Sequence, residues 1–217
     1  MDPRPDADAR RLEDYPRPSV AVDTAVLTAD PDVGLMVLQV ARPRGLGWAL
    51  PGTFLHPGEL LADAVKRSLA DKANIRGLTP RQLHVFDALD RDDRGWVLSV
   101  AHVAVVPAER LATRHTDVTR LLPVDAPGDL AFDHPDIIRR AVAEVRARYA
   151  AAPDPDHLLG DEFTLRDLRL IHEAVAGREL QRDTFRRAME PRLDATGVLS
   201  VRGRGRPAEL FRRRDVD

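Results

Sequence analysis

Residues 51–75, PGTFLHPGELLADAVKRSLADKANI, place charged side chains at spacings that suit phosphate chemistry. Cleavage of a phosphate anhydride needs divalent metal to neutralise oxygens and orient water, and therefore several carboxylates on one surface. Residues three and four apart share one face of a helix, so acids at those spacings would form a metal site. Glu59 precedes the helical run and Arg67 follows eight residues later. After the arginine, Ser68 and Lys72 stand where acids are expected, and Asp71 stands where the longer glutamate is expected.

These three residues predict a site that binds no metal and has little or no hydrolytic activity. Ser68 supplies no charge, and the side chain of Asp71 is shorter than that of glutamate. The ammonium of Lys72 occupies space where a cation should bind, and their repulsion would cost several kcal/mol at partly buried distances. We expect Asp71 to pair with Arg67 instead. The alternative is an ordinary amphipathic helix that follows a glycine turn.

The segment resembles the signature of the Nudix family. That signature has a glycine turn, a glutamate, then arginine-glutamate, an apolar residue, any residue, two glutamates, any residue, a glycine and an apolar residue. Glu59 and Arg67 match its leading glutamate and its arginine, and Leu69 and Ile75 match its apolar positions. Asn74 replaces the closing glycine. The upstream run GLGWALPG, residues 45–52, is similar to the strand that approaches the Nudix signature.

A Nudix-like cleft without metal can still bind a nucleotide diphosphate, because cationic side chains can contact the phosphates directly. The predicted ligand-binding residues are Arg42, Arg44, Trp48, Glu59, Arg67, Lys72, Phe132 and His134. No residue is predicted to be catalytic or to ligate a metal. The alternative for Arg42 and Arg44 is a solvated loop. For a lone histidine such as His134, the alternative is a packing or hydrogen-bonding residue.

Sequence periodicity predicts the elements that position these residues. Alternating apolar and β-branched residues predict strands at 19–28, 34–42, 84–90 and 96–106, which form two antiparallel pairs. Between the pairs, one helix follows Gly58 and ends at Asn74, which favours a left-handed conformation. A second amphipathic helix is predicted from His134.

The pattern changes after a segment rich in proline and aspartate at residues 152–162. Two short helices are predicted beyond it, at 164–177 and 182–193, and then strands at 198–202 and 208–214 around a glycine-rich loop. This is the order of a winged helix-turn-helix. Thr164, with an aspartate three residues later, predicts the start of the first helix, and Gly177 predicts its end.

Positive charge is concentrated in this last part of the chain. Residues 163–217 contain 13 arginines and 9 acidic residues, whereas the whole chain has a net charge of -2. Such asymmetry favours a polyanionic partner. With 31 arginines in the chain, each one alone is more often ordinary surface. The predicted DNA-binding residues are Thr164, Arg182, Thr184, Arg186 and Arg187 on the helices, and Arg202, Arg204 and Arg206 on the wing.

Taken together, the chain resembles the NrtR family of Nudix-related transcriptional regulators of NAD metabolism. The motifs that carry the resemblance are YPRPSVAVDTAVLT, LAFDH, FTLRDLRLIHEAVAGRELQRDTFRRAM and GRGRPAELF. The resemblance implies an α+β chain, in which a Nudix-like α/β/α sandwich with a mixed sheet precedes a C-terminal winged helix-turn-helix. The domain prediction is a flexible tail at 1–18, a ligand-sensing domain at 19–152, a linker at 153–162 and a DNA-binding domain at 163–217.

The resemblance also implies a function. It predicts a homodimeric repressor of NAD biosynthesis or salvage genes, which binds a palindromic double-stranded DNA operator and requires no cofactor. ADP-ribose or a related NAD-derived nucleotide would be the effector that releases DNA. Alternatives are an active ADP-ribose pyrophosphatase, a regulator that responds to a different metabolite such as a sugar derivative, and a scaffold whose basic end binds RNA or protein.

Composition limits the cellular setting. The chain has no cysteine, hence no disulfide framework and no thiolate metal site. The charged, proline-rich amino terminus is unlike a secretory signal, and no apolar run approaches the roughly 20 residues of a membrane helix. We therefore expect a cytoplasmic protein without a membrane partner.

Overall fold

The computed structural model describes residue 11, residues 14–200 and residues 207–214. Arg202, Arg204 and Arg206, which the sequence predicts to bind DNA, lie outside the described residues. Most of the predicted N-terminal tail lies outside them as well.

A mixed sheet forms the framework of the first two thirds of the chain. Its parallel pair is the first and sixth strands, and the remaining neighbours are antiparallel. The strands are β1 (Ser19–Asp30), β2 (Gly34–Ala41), β3 (Trp48–Ala49), β4 (Gly52–Phe54), β5 (Arg81–Phe86), β6 (Val97–Val105) and β7 (Thr119–Pro123). The spatial order is β3-β2-β1-β6-β5, with β4 also paired to β1 and β7 to β2.

Helices α1 (Leu61–Ala73) and α2 (His134–Ala151) cover opposite faces of this sheet. Val65 of α1 shares a buried cluster with Val26, whereas Ile138 of α2 shares another with Leu27. Adjacent residues of β1 therefore enter different cores, as expected for a strand buried on both faces. The predicted sandwich with a mixed sheet is confirmed. Asn74 adopts the predicted left-handed conformation, with φ 55°, and ends α1.

A winged helix-turn-helix follows, as predicted. It consists of β8 (Phe163–Thr164), α3 (Leu165–Ala176), α4 (Arg182–Met189), β9 (Leu193–Ser200) and β10 (Ala208–Arg213). Thr164 and Asp167 form a reciprocal capping box at the start of α3. Gly177 ends the helix with φ 69°, a conformation that glycine adopts without strain.

Helix α3 belongs to two cores at once. Leu168 packs in one buried cluster with Phe185 and Met189 of α4. Ile171 and Val175 pack in another cluster, which contains Val145 and Tyr149 of α2. The guanidinium Nε of Arg146 on α2 also donates a 3.0 Å hydrogen bond to the carbonyl of Val175. The winged helix is therefore docked on the mixed sheet and α2 through an apolar helix face.

Several predicted boundaries were wrong. Helix α4 ends at Met189, and a 3-10 turn at residues 190–192 follows, since Pro191 has no N–H to extend the ladder. Strand β9 consequently begins at Leu193, five residues earlier than predicted, and β5 covers Arg81–Phe86 instead of 84–90. Strands β4, β7 and β8 were missed because two to five residues are too short to establish a period, whereas β3 lies within the run that resembles the Nudix approach strand. No helix in the described part of the chain is long and apolar enough to span a membrane.

Candidate functional site

The turn before α1 is held by a bidentate ion pair between Arg67 and Glu59. Arg67 donates from Nε and Nη2 to the two carboxylate oxygens of Glu59, each at 2.8 Å. The same guanidinium donates to Thr53 Oγ1 at 3.1 Å and to the carbonyl of Phe54 at 3.0 Å. The expectation that Arg67 pairs with Asp71 was wrong. Glu59 reaches the arginine from the turn and satisfies it from both oxygens, which a monodentate contact along the helix would not do.

Glu59, which matches the leading glutamate of the Nudix signature, thus has both carboxylate oxygens bound to Arg67. The hydrogen bonds from Arg67, with a further one from the His56 N–H, lower the pKa of Glu59 to about 2. Ser68 is buried, and its hydroxyl has no hydrogen-bond partner among the described residues. Within the same part of the chain, no group of three histidine or acidic residues is placed to hold a metal ion.

A cavity of about 790 Å³ opens between α1, the carboxyl end of β2 and the loop before α2. Five of the predicted ligand-binding residues line it, namely Arg42, Arg44, Lys72, Phe132 and His134. Three do not. Glu59 and Arg67 are engaged with each other, and the Trp48 ring is covered by the Arg120 guanidinium at 4.1 Å from its centroid.

The base of the cavity is an ordered network around Asp23. His134 Nδ1 accepts a 2.9 Å hydrogen bond from the Leu50 N–H, so the proton of a neutral ring lies on Nε2. That Nε2 faces Asp23 Oδ1 at 3.3 Å, and the Ser99 hydroxyl donates to Oδ2 at 2.6 Å. Burial disfavours the charge of Asp23, but the contacts with His134, Ser99 and Arg91 outweigh it and lower the pKa of Asp23. The network fixes a carboxylate in the cavity wall.

Arg91 connects this network to the segment before α2. Its guanidinium makes a bidentate pair with Asp133, at 2.9 and 2.7 Å, and lies 3.5 Å from Asp23. Both Arg91 and Asp23 line the cavity. Sequence reasoning missed these residues, since Arg91 stands in a turn and Asp23 in a strand that otherwise appears apolar. An aspartate within the β-branched run at 19–28 was the available signal.

Aromatic rings and guanidinium groups alternate along the mouth of the cavity. The Arg42 guanidinium lies 4.8 Å from the centroid of Phe132, and the Arg94 guanidinium lies 5.4 Å from the same ring and 5.3 Å from Phe54. Asp92 orients Arg94 through hydrogen bonds of 2.8 and 2.6 Å. Flat rings beside cations suit a ligand that combines an aromatic base with phosphate.

The second candidate surface is the solvent face of α4. Phe185 and Met189 are buried, whereas the predicted residues Arg182, Thr184, Arg186 and Arg187 are all exposed. Arg186 is paired with Glu190 by hydrogen bonds of 2.6 and 3.0 Å. Thr164, also predicted to bind DNA, is only 9% exposed, and its hydroxyl is engaged by Asp167 in the capping box. The structure thus gives Thr164 a role in starting α3.

The fold and the two surfaces define a class of protein, a Nudix-like domain joined to a winged helix-turn-helix. The profile of the NrtR DNA-binding winged helix domain matches residues 155–213. The ADPR responsive transcriptional repressor NtrR of Acinetobacter baylyi is 32% identical over 212 residues, which cover 92% of this chain and 83% of that protein. The chain belongs to the NrtR family.

Solved structures agree with this assignment. NrtR of Shewanella oneidensis in complex with a 27mer DNA has a TM-score of 0.75 at 30% identity, covering 90% of this chain and 93% of that one. The Nudix domain of the same protein in complex with ADP ribose has a TM-score of 0.53 at 28% identity, covering 63% of this chain and 94% of that one.

Proposed function

We propose that the protein is a homodimeric transcriptional repressor of NAD biosynthesis or salvage genes. In this proposal ADP-ribose, or a related NAD-derived nucleotide, binds the cavity and releases the repressor from a palindromic operator. The cavity binds its ligand without hydrolysing it. The observation that carries the proposal is that a cation-lined cavity is joined to a winged helix of the NrtR family, since Leu50 of the cavity lies in the same apolar cluster as Ile171 and Val175 of α3.

The lining of the cavity supports this class of ligand. Arg42, Arg44 and Lys72 supply positive charge, which a diphosphate requires, and Phe132 supplies an aromatic face. A volume of about 790 Å³ lies within the usual range for small-molecule sites. Ser68 and Lys72 support the absence of hydrolysis, because they stand where the Nudix signature has carboxylates that a catalytic metal would need.

The surface of α4 supports DNA binding. The exposed Arg182, Thr184 and Arg187 lie on a helix whose opposite side is buried, so the helix can enter a major groove without losing its packing. In a symmetric dimer, two such helices must lie about 34 Å apart to meet successive major grooves. A palindromic operator follows from that symmetry.

Release of DNA requires that the ligand prefer a dimer arrangement with a different helix spacing. The effect cannot exceed the difference between the ligand's affinities for the two arrangements, and a 100-fold preference corresponds to about 2.7 kcal/mol. Helix α3 is suited to transmit such a change, because Ile171 and Val175 pack on the sensor core while Leu168 packs beneath α4. A displacement of α2 would therefore carry α3 with it.

Fluorescence anisotropy on duplex fragments from the promoter region next to the protein's own gene tests the proposal. We expect tight binding of one dimer per palindrome and dissociation when ADP-ribose is added, with AMP and ribose 5-phosphate as ligand controls. Chromatography of the same mixture with magnesium should show intact ADP-ribose. Rapid turnover of ADP-ribose together with no affinity for any fragment would establish the pyrophosphatase alternative. Release by a sugar derivative alone would establish a different effector.

A further inference from the structure

Lys72 is one of two lysines in the chain, and it lines the ligand cavity. Its Nζ donates a hydrogen bond to the carbonyl of Gly52 on β4. An ammonium has three N–H groups, so this bond leaves two for other acceptors. Burial lowers the pKa of Lys72, the charge of Asp23 opposes that shift, and Arg67 adds to it.

The surrounding residues do not fit a divalent metal, although Nudix hydrolases need one. A hard cation binds several oxygen ligands, usually carboxylates. In the turn before this helix, Glu59 is bound to Arg67. On the helix itself, Ser68 has a buried uncharged hydroxyl, and Lys72 is a cation. Asp71 alone remains as an acidic residue of α1 on the cavity. Asp23 and Asp92 also line the cavity, but their carboxylates already accept hydrogen bonds from Ser99 and Arg94. Together with the Lys72 ammonium, these groups suit an anion better than a divalent cation.

We propose that the Lys72 ammonium takes the place of the metal as the counter-charge for the ligand's diphosphate, so that the protein binds its effector independently of divalent cations. The inference rests on the proposed function and adds the means by which the site recognises phosphate. A fixed ammonium neutralises phosphate oxygens and supplies hydrogen bonds, but it does not activate water for attack. With Ser68 in place of a further carboxylate, Lys72 thus allows binding without cleavage, as a sensor requires.

The second lysine provides a matched control. Lys66 is on the same helix, but its side chain is 59% exposed and lies 3.6 Å from Asp63 at the surface. Lys72→Met and Lys66→Met remove the same charge and keep a similar shape. Titration calorimetry of each full-length protein with ADP-ribose, once with EDTA and once with magnesium, separates the two positions.

We expect the unmodified protein to bind ADP-ribose with the same affinity, within about twofold, in EDTA and in magnesium. Lys72→Met should weaken binding at least tenfold, and Lys66→Met should leave it unchanged. Binding that disappears in EDTA and returns with magnesium would overturn the inference while leaving the proposed effector intact. Equal affinity of Lys72→Met and the unmodified protein would also overturn it. No binding under either condition would instead overturn the proposed effector.

A second measurement does not require Lys72 to be replaced. Labelling lysine with ¹³C at Cε gives two resonances from the whole chain, and Lys66→Arg assigns them. We expect the Lys72 resonance to report a protonated amine at neutral pH and to shift when ADP-ribose is added, while the Lys66 resonance stays in place. A neutral amine, or no change at Lys72 in a saturated complex, would contradict the inference.

Discussion

The Arg213 guanidinium on β10 meets the buried carboxylate of Asp154, with Nη1 and Oδ2 2.8 Å apart. Asp154 follows α2 and is fully buried, and its carboxylate also accepts from the backbone N–H groups of Leu158 and Leu159. Strand β10 is thereby joined to the segment that follows α2. An ion pair at this position constrains how the winged helix sits on the sheet.

Replacing Arg213 tests the strength of this connection. Arg213→Met leaves the Asp154 charge buried without its counter-charge, so we expect the free energy of unfolding to fall by about 3–5 kcal/mol. Arg212→Met is the matched control, because Arg212 pairs with Glu162 at the surface, where ion pairs contribute at most about 1 kcal/mol. Urea denaturation followed by circular dichroism measures both. Equal losses in the two variants would show that the buried pair contributes no more than a surface pair.

His172 makes this junction sensitive to acid. Its ring lies between those of Tyr149 and Phe185, at 5.0 and 5.1 Å, and its Nε2 accepts a 3.2 Å hydrogen bond from the Asp154 N–H. An accepting Nε2 carries no proton. Burial lowers the pKa of His172 to about 4, against an ordinary value of about 6.5.

The unfolded chain therefore binds more protons than the folded protein between these two pH values. Neutral His172 makes its full contribution to the free energy of unfolding above about pH 6.5. As the pH falls towards 4, the free energy of unfolding decreases by at most about 3 kcal/mol. Chemical denaturation at several pH values should show this slope, and His172→Leu should flatten it. His157→Gln, at an exposed position in the same junction, should keep it. An unchanged slope in His172→Leu would assign the acid sensitivity to other groups.

Elements that are specified by residues close together in the sequence were predictable. The periodicity of Val65 and Leu69, the capping pair of Thr164 with Asp167 and the left-handed Asn74 each depend on neighbours within a turn or two. Contacts between distant segments were not predictable in this way. Arg91 donates hydrogen bonds to Asp133, 42 residues away in the sequence, and to Asp23, 68 residues away. No local pattern specifies which aspartates pair with it.

The segment between the two predicted domains contains a contact that composition does not specify. APDPDHLLGDE has the proline, glycine and aspartate content of a linker, and it contains the fully buried Asp154. Its burial depends on Arg213, 59 residues further along the chain. A charged residue can be buried when a residue of opposite charge pairs with it, and the sequence around the buried residue does not identify a partner that lies far away in the chain.

Gly52 is expected to be irreplaceable because of its neighbour Asp23. A Cβ at Gly52 would lie 1.9 Å from Asp23 Oδ1 and 2.9 Å from the carbonyl of Val22. Gly52→Ala should push the Asp23 carboxylate away from His134 and lower the affinity for ADP-ribose at least tenfold, measured by calorimetry. Gly160→Ala is the control, since a Cβ there would meet nothing within 4 Å. Full affinity in Gly52→Ala would mean that the Asp23 network is not needed for the ligand.

Arg182, the first residue of α4, is exposed and tests the DNA-binding surface. Arg182→Ala should weaken binding to the operator by about 1–3 kcal/mol, or roughly 5- to 150-fold, if the side chain contacts a base or a phosphate. Anisotropy titrations at several salt concentrations distinguish the two contacts. Loss of a phosphate contact lowers the slope of log affinity against log salt by about one and weakens all sequences alike. Loss of a base contact relaxes discrimination against one mismatched base pair.

The matched control for Arg182 is Arg139→Ala. Arg139 is also exposed, but it lies on α2 of the sensor domain and pairs with Asp136, so its loss should change neither affinity nor salt slope. If Arg182→Ala and Arg139→Ala bind operator equally well, α4 does not approach DNA through its first turn. The recognition surface would then have to lie with Arg187 further along the helix or with the wing.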